Sequence, residues 1–269
     1  MNQVTEHLVR HHEKSRRGGE RSITEFDQLT LGVLELEAGQ RCSLTPGTET
    51  AWLLMQGRVR GRAGETGFDL ERRSLFDESA SCIHVCAGTG AVIEAVTRAE
   101  LTVYACRNTR AFPERIFQPS QVPNEHRGAG QVADRCLRFV RTIFDGTTSP
   151  DEAELVLGEV VTLPGGWSSY PPHHHRQPEI YHYRFTAPQG YGHAEVGEVV
   201  YKVFDRDTVC IPPGLVHAQC AAPGYGMYYS WVIRHLPDDP YTVPDFVDEH
   251  AWTKEQDADF WWPAEIPRG

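Results

Sequence analysis

The chain has 269 residues, 40% of them apolar and 23% charged, which is enough to bury a sizeable core and is the composition of a folded globular protein, not a disordered or fibrous one. Its formal net charge of −11 argues against nucleic acid or an anionic membrane surface as a partner, because either would need a basic footprint. An anionic small-molecule substrate would gain nothing from long-range attraction and would need a local Arg or Lys to hold it.

No run approaches the ~18 consecutive apolar residues of a membrane span, and the first twenty residues lack an apolar signal core. Seven cysteines without a compact framework suit a reduced, cytoplasmic setting. Cys82 and Cys86 flank His84, but no second pair follows at zinc-ribbon spacing, so the cysteines read as buried small apolar residues.

In chain order, residues 1–28 read as a polar, solvated arm whose His11 and His12 are exposed and not functional. From 29 to 112 the text is strand-like and punctuated by turns. Residues 31–36 alternate until Gly39 breaks them, 51–55 form an apolar run ended by Gly57, and 59–62, 81–86, 91–96 and 101–106 follow. Residues 113–135 look like a connector marked by Pro113, Pro119 and Pro123. Strands resume at 136–144 and 153–161 and continue to about 235. The tail, 236–269, is rich in Asp, Pro and aromatics, and Trp261 and Trp262 are expected to pack it across the other domain. One strand pattern stated twice, without helical periodicity between, predicts an all-β protein of two tandem antiparallel β-barrel (jelly-roll) domains, 29–112 and 136–235.

The chemistry concentrates in the second of these. In an extended strand, residues two apart point the same way, so His173 and His175 share a face and His174 does not. Arg176-Gln177-Pro178 breaks the strand, since Pro is poorly tolerated in a ladder. A new strand from Glu179, paired with the one before it, would return that carboxylate to the two imidazoles. Further on, Pro212-Pro213-Gly214 turns the chain as a hairpin and places His217 on a neighbouring strand. His173, His175, Glu179 and His217 together suit a borderline divalent metal: zinc first, with manganese, iron or nickel as alternatives. Parity from Glu179 points Tyr181 and Tyr183 inward and His182 and Arg184 outward.

H-x-H-x3-E followed by P-x-G-x-x-H resembles the two signature motifs of the cupin superfamily, so the two barrels are read as a bicupin. A more specific resemblance covers most of the chain. Residues 165–173 (GGWSSYPPH), 179–185 (EIYHYRF), 188–192 (PQGYG) and 222–229 (APGYGMYY) resemble the 5-deoxy-glucuronate isomerases of inositol catabolism, and His126-Arg127-Gly128-Ala129-Gly130 looks like that family's R-G-x-G linker. The resemblance implies interconversion of 5-deoxy-glucuronate and 2-deoxy-5-keto-gluconate by an aldose-ketose isomerase, with the metal on His173, His175, Glu179 and His217. The sequence departs from the pattern at three places. Only Arg176-Gln177-Pro178 remains of a longer acidic loop, Ser230-Trp231-Val232-Ile233-Arg234-His235 replaces a segment like N-V-M-A-G, and Arg206 stands where the cupin motif has Gly.

Tested against the same template, the first barrel puts Thr45, Gly47, Thr50 and Ala91 in the ligand slots, so it is expected to be a metal-free structural partner. Tyr181, Tyr183 and Tyr229 are the candidate catalytic hydroxyls. Arg184, Gln189 and Lys202 are the candidates for binding substrate carboxylate and hydroxyls. The expected partner is a small-molecule sugar acid, and a homo-oligomer is compatible with this reading. A cupin dioxygenase using iron, an isomerase of another sugar acid, and a non-catalytic sugar-binding bicupin are the competing readings.

Overall fold

The computed structural model describes residues 7–10 and 19–266, so His11 and His12 lie outside the described residues. Among those described, helix is confined to Pro119–Gln121, Asp248–Ala251 and Trp252–Lys254, and none is long and apolar enough to cross a membrane. The strands are β1 (Leu8–Val9), β2 (Gly19–Phe26), β3 (Leu29–Leu36), β4 (Arg41–Leu44), β5 (Glu49–Ala63), β6 (Thr66–Arg72) and β7 (Cys82–Val85). Next come β8 (Ala91–Ala95), β9 (Ala99–Cys106), β10 (Arg115–Phe117), β11 (Glu125–Arg127), β12 (Arg138–Phe144), β13 (Leu155–Thr162) and β14 (Trp167–His174). The chain continues through β15 (Glu179–Phe185), β16 (Tyr191–Val196), β17 (Val199–Phe204), β18 (Thr208–Ile211), β19 (His217–Ala221), β20 (Met227–Arg234) and β21 (Asp245–Phe246).

Every pairing is antiparallel, and the pairings separate the chain into an earlier and a later half. The earlier strands run in the order β10-β7-β5-β9-β3-β2, with β4, β6 and β8 joined through β5. The later strands make a seven-stranded sheet, β1-β18-β15-β20-β13-β12-β11, and a five-stranded sheet, β17-β16-β19-β14-β21. Two parts of the sequence reading are corrected here. The expected solvated arm contains β1, which closes the edge of the later half's sheet on β18, and β2, which pairs with β3. The expected connector contains β10 and β11, each a sheet edge.

Gly57 does not end its strand, contrary to expectation. Its φ of +100 and a register shift between Leu54 and Gln56 bend β5 without stopping it, and a Cβ there would lie 2.3 Å from Arg98 O. The bent strand therefore serves β7 and β9 with one end and β6 and β8 with the other.

Among the described residues, three extensive apolar cores follow from the alternation, with a small cluster of Cys86, Phe112 and Ala153 beside them. One fills the earlier half around Trp52, Leu54, Ile83 and Leu101, and one fills the later half around Tyr181, Tyr183, Val203 and Tyr229. The third lies between halves, where Leu29, Leu31, Leu53 and Tyr104 meet Phe144, Leu155, Ile180 and Tyr228. A strand such as β15 is covered on both faces, which is why all seven of its residues are buried.

The contact between halves also holds charge. Glu159 receives Arg72 at 2.5 Å and Arg141 at 2.9 Å, and the Tyr228 hydroxyl donates to it at 2.8 Å. Burial opposes the charge on Glu159, but the Arg72 and Arg141 guanidiniums overcome it and hold the carboxyl below its ordinary range. Arg206 takes the positive φ (+68) of a glycine slot, and its side chain reaches Glu100 of the earlier half at 2.7 Å. His84 belongs to this structural class as well. It pairs with Glu49 at 2.8 Å and stacks on Phe144, while all seven cysteines are free.

Candidate metal centre

The signature residues are delivered by two sheets, the histidines by one and its corner and Glu179 by the other, which corrects the hairpins expected from the sequence. β14 and β19 belong to the five-stranded sheet, and His173 lies directly opposite His217. Glu179 opens β15 in the seven-stranded sheet, where its neighbours are β18 and β20 and not β14. Residues 175–178 and 212–216 are thus corners that carry the chain from one sheet to the other. Gly214, at φ +77, donates its N–H to the His175 carbonyl at 2.8 Å and ties the two corners together. The ligand set sits where the two sheets converge.

All three imidazoles are oriented by the backbone. Nδ1 of His173 faces Pro171 O at 3.3 Å, Nδ1 of His175 faces Gln177 O at 3.0 Å, and Nδ1 of His217 faces Leu215 O at 3.1 Å. A carbonyl only accepts, so in each ring Nδ1 donates the proton and Nε2 is left for another partner. Nε2 of His175 and of His217 then approach the same oxygen, Glu179 Oε2, at 3.1 and 3.3 Å. His217 Nε2 is buried and has no hydrogen bond. His173 completes the group, its ring 4.4 Å from that of His217.

Burial alone would raise the Glu179 carboxyl, but His175 and His217 outweigh it and lower it to about 2. Burial, reinforced by His217, lowers His173 to about 3, so its imidazole is neutral at physiological pH. Ring nitrogens of His175 and His217 and an ionised Glu179 carboxylate, converging and buried, with His173 beside His217, are a donor set that a divalent cation takes. In the absence of a cation a proton must lie between Nε2 and Oε2, as in the His175–Glu179 hydrogen bond at 3.1 Å; a divalent metal would take that proton's place. The residues fit a metal.

His173, His175 and Glu179 line a cavity of about 240 Å³, with His217 buried behind them, and its other walls include Arg127, Arg138, Ser169, Tyr181, Tyr229, Trp231, Tyr241 and Phe246. Two of the three candidate tyrosines reach it. Tyr181 and Tyr229 stack at 4.6 Å between centroids, and the Ser169 hydroxyl bridges their phenols at 3.2 and 3.0 Å. Burial raises both phenols, Tyr229 to about 12, so both stay protonated at neutral pH. Tyr183 does not line the cavity; its hydroxyl donates to Gln219 within the barrel core at 2.7 Å.

None of the three candidates for substrate binding is brought to the site. Arg184 faces the other half, where it pairs with Glu100 and donates to His182 at 2.6 Å. Gln189 is exposed in the loop after β15, at the end of that strand away from Glu179. Lys202 alternates with buried Tyr201 and Val203 and so points outward, its ammonium 4.0 Å from the Tyr191 ring centre.

Other residues take their place. Ser169 turns inward because its φ of +50 lies in the left-handed region and the β14–β19 register shifts between Ser168 and His173. Gly158 leaves room for Trp231, whose ring a Cβ there would meet at 2.3 Å. The tail also differs from expectation. It does not cross to the earlier half: β21 pairs with β14 so that Phe246 lies opposite His173, and Phe260 and Trp262 settle near Arg135, Trp167 and Tyr170 of the later half. Trp261 remains 84% exposed.

A model of the KduI/IolB family matches residues 8–253. Over 175 residues the chain is 31% identical to the 5-deoxy-glucuronate isomerase of Geobacillus kaustophilus, an alignment covering 56% of this chain and about three-fifths (61%) of the relative. A solved iolb-like protein from Salmonella typhimurium is similar at a TM-score of 0.81 and 26% identity, covering 93% of this chain and 99% of that one. A cupin 2 conserved barrel domain protein from Leptotrichia buccalis, at TM-score 0.51 and 11% identity over 82% of this chain and 91% of its own, shares the fold.

Proposed function

The chain belongs to the KduI/IolB family, and we propose that it is a divalent-metal-dependent aldose-ketose isomerase interconverting 5-deoxy-glucuronate and 2-deoxy-5-keto-gluconate. The observation that carries this reading is the buried His175–Glu179–His217 cluster at the wall of a cavity that His173, His175, Glu179 and two serine-bridged phenols line. The activity itself is that named for the curated relatives. Zinc is the metal we propose, held by His173, His175, Glu179 and His217.

Moving a carbonyl to the neighbouring carbon requires a proton to leave one carbon, negative charge to develop on oxygen, and a proton to arrive next door. When bound, the metal would supply Lewis-acid polarisation of the carbonyl and adjacent hydroxyl oxygens. The chain's own residues do the rest. Tyr181 and Tyr229, protonated at neutral pH, are the hydroxyls that would donate to oxygens that gain charge, Tyr229 by turning its proton from Ser168 Oγ, to which it donates at 3.0 Å. Ser169 bridges them, so a proton given up by one phenol can be replaced through the serine hydroxyl from the other. Trp231, Tyr241 and Phe246 form apolar walls that exclude water and strengthen these interactions. The cavity is slightly smaller than the ~300 Å³ lower end of drug-sized pockets, which suits a molecule of hexose size.

The test is direct: metal-loaded protein incubated with 5-deoxy-glucuronate should yield the ketose, and His217→Ala protein should not. Conversion by a variant shown to hold no metal would refute the reading.

A further inference from the structure

We propose that Arg138, with Arg127 beside it, is the seat of the substrate's carboxylate, so that the cavity reads both ends of an open-chain uronate: carbonyl at the histidine cluster, carboxylate at the arginines. This rests on the reading of the site as one for a sugar acid.

Arg127 and Arg138 are directly opposite residues of the β11–β12 ladder, and both line the cavity that contains Glu179. Like charges facing each other across a ladder repel and are destabilising unless an anion lies between them. Arg127 is partly satisfied by Glu125 at 2.8 Å, on the exposed side. Arg138 has no carboxylate partner among the described residues; its Nη1 donates to the Cys136 carbonyl at 2.9 Å. A guanidinium withdrawn from water with most of its five donors unused is a costly arrangement, and one that a bidentate carboxylate would relieve. Burial does push the Arg138 guanidinium down from its ordinary value, the direction expected of a cation lacking its counter-ion.

The backbone keeps this seat open. Gly128 follows Arg127 at φ +79, and a Cβ there would stand 2.3 Å from Cys136 O and 2.7 Å from Arg138 Nη1. A side chain at 128 would therefore displace the guanidinium. Arg-Gly at 127–128 and Arg at 138 thus form one unit. Among the described residues the cavity lining includes no other Arg or Lys and no carboxylate besides Glu179. In a chain of net charge −11 this local pair is what an anionic sugar would need to enter.

Calorimetric titration of metal-loaded wild type, R138K and R138M with D-glucuronate and with D-glucose, which carries CH2OH in place of the carboxylate, tests the assignment. Metal content and Tm are measured alongside. Wild type should bind glucuronate at least about tenfold more tightly than glucose, R138M should lose that preference with metal and fold intact, and R138K should recover part of it. R127Q should weaken glucuronate less than R138M does, because Arg127 is already paired. A wild type that fails to prefer glucuronate, or an R138M that still prefers it, overturns the proposal. The readout does not need turnover. Glucuronate held through Arg138 by a protein that isomerises no uronate would sink the isomerase reading alone, whereas isomerisation indifferent to Arg138 would sink this one alone.

Discussion

His217 Nε2 stands 3.3 Å from Glu179 Oε2 with no hydrogen bond between them, while the other nitrogen of the ring is turned to the Leu215 carbonyl. A ring nitrogen and a carboxylate oxygen facing each other in a buried site are a pair of donors that a cation takes. Stoichiometric zinc should therefore bind the wild type, and His217→Ala and Glu179→Ala should each lose it while keeping the fold. At free metal about 1,000 times Kd, binding adds about 4 kcal/mol to stability, which for a chain of this size is a rise in Tm of roughly 10 °C. Metal analysis and thermal unfolding with and without chelator measure both. A Tm unmoved by metal would contradict the site.

Tyr229 and Ser169 should act after binding. Tyr229→Phe removes a protonated phenol from the cavity wall and leaves the metal ligands in place. We expect kcat to fall by about 10²-fold, with metal content unchanged and KM within a few-fold. Ser169→Ala, which breaks the bridge but leaves both phenols, should fall less. Steady-state kinetics on metal-quantified protein decide this, and a Tyr229→Phe enzyme of wild-type kcat would remove the phenol from the mechanism.

Lys202 and Gln189 provide the converse. Lys202→Ala and Gln189→Ala should leave KM for the uronate within about twofold, since neither lines the cavity. A tenfold rise in KM for either would mean that the substrate reaches outside the pocket described here.

The motif residues His173, His175, Glu179 and His217 were legible from their spacing, although the chain brings them near one another through corners between two sheets and not through the two hairpins expected. Strand parity correctly turned Arg184 away from the barrel interior, but could not say that the other half, with Glu100, lies there. What a single strand cannot reveal is which distant segments share its cavity. Arg138 sits in a run recognised as a strand, yet its role depends on the β11 edge opposite it and on Gly128. Phe246 depends on β21 returning to β14 from over seventy residues downstream. Ser169 was hidden for another reason, because a positive φ in the middle of β14 breaks the alternation from which facing is read. Gly57 misled in the same way, a bend in a strand having the sequence signature of its end.

Acid should loosen the contact between halves. Glu159, Glu100 and Glu49 are all buried, which opposes their charge, yet their partners hold each carboxyl below the ordinary 4.5. In the unfolded chain these groups take up protons near pH 4.5; in the folded chain they do so only at lower pH. Their stabilising contribution is therefore complete above about pH 4.5 and is lost as pH falls below it. The urea midpoint should be nearly level from pH 7 to 5.5 and drop steeply by pH 3.5. Arg72→Met, which strands the Glu159 charge, should cost about 3–5 kcal/mol at pH 7 and flatten that drop. A midpoint that rises on acidification would contradict the network's role.

The central claim is tested most directly by proton NMR of 5-deoxy-glucuronate with zinc-loaded protein in D2O, before and after removal of the metal. The account predicts that signals of 2-deoxy-5-keto-gluconate grow in with loaded wild type, stop when the metal is stripped, resume when it is restored, and never appear with Glu179→Gln. Ketose forming at an undiminished rate in protein verified to be metal-free, or failing to form with any of zinc, manganese, iron or nickel in the site, would contradict it.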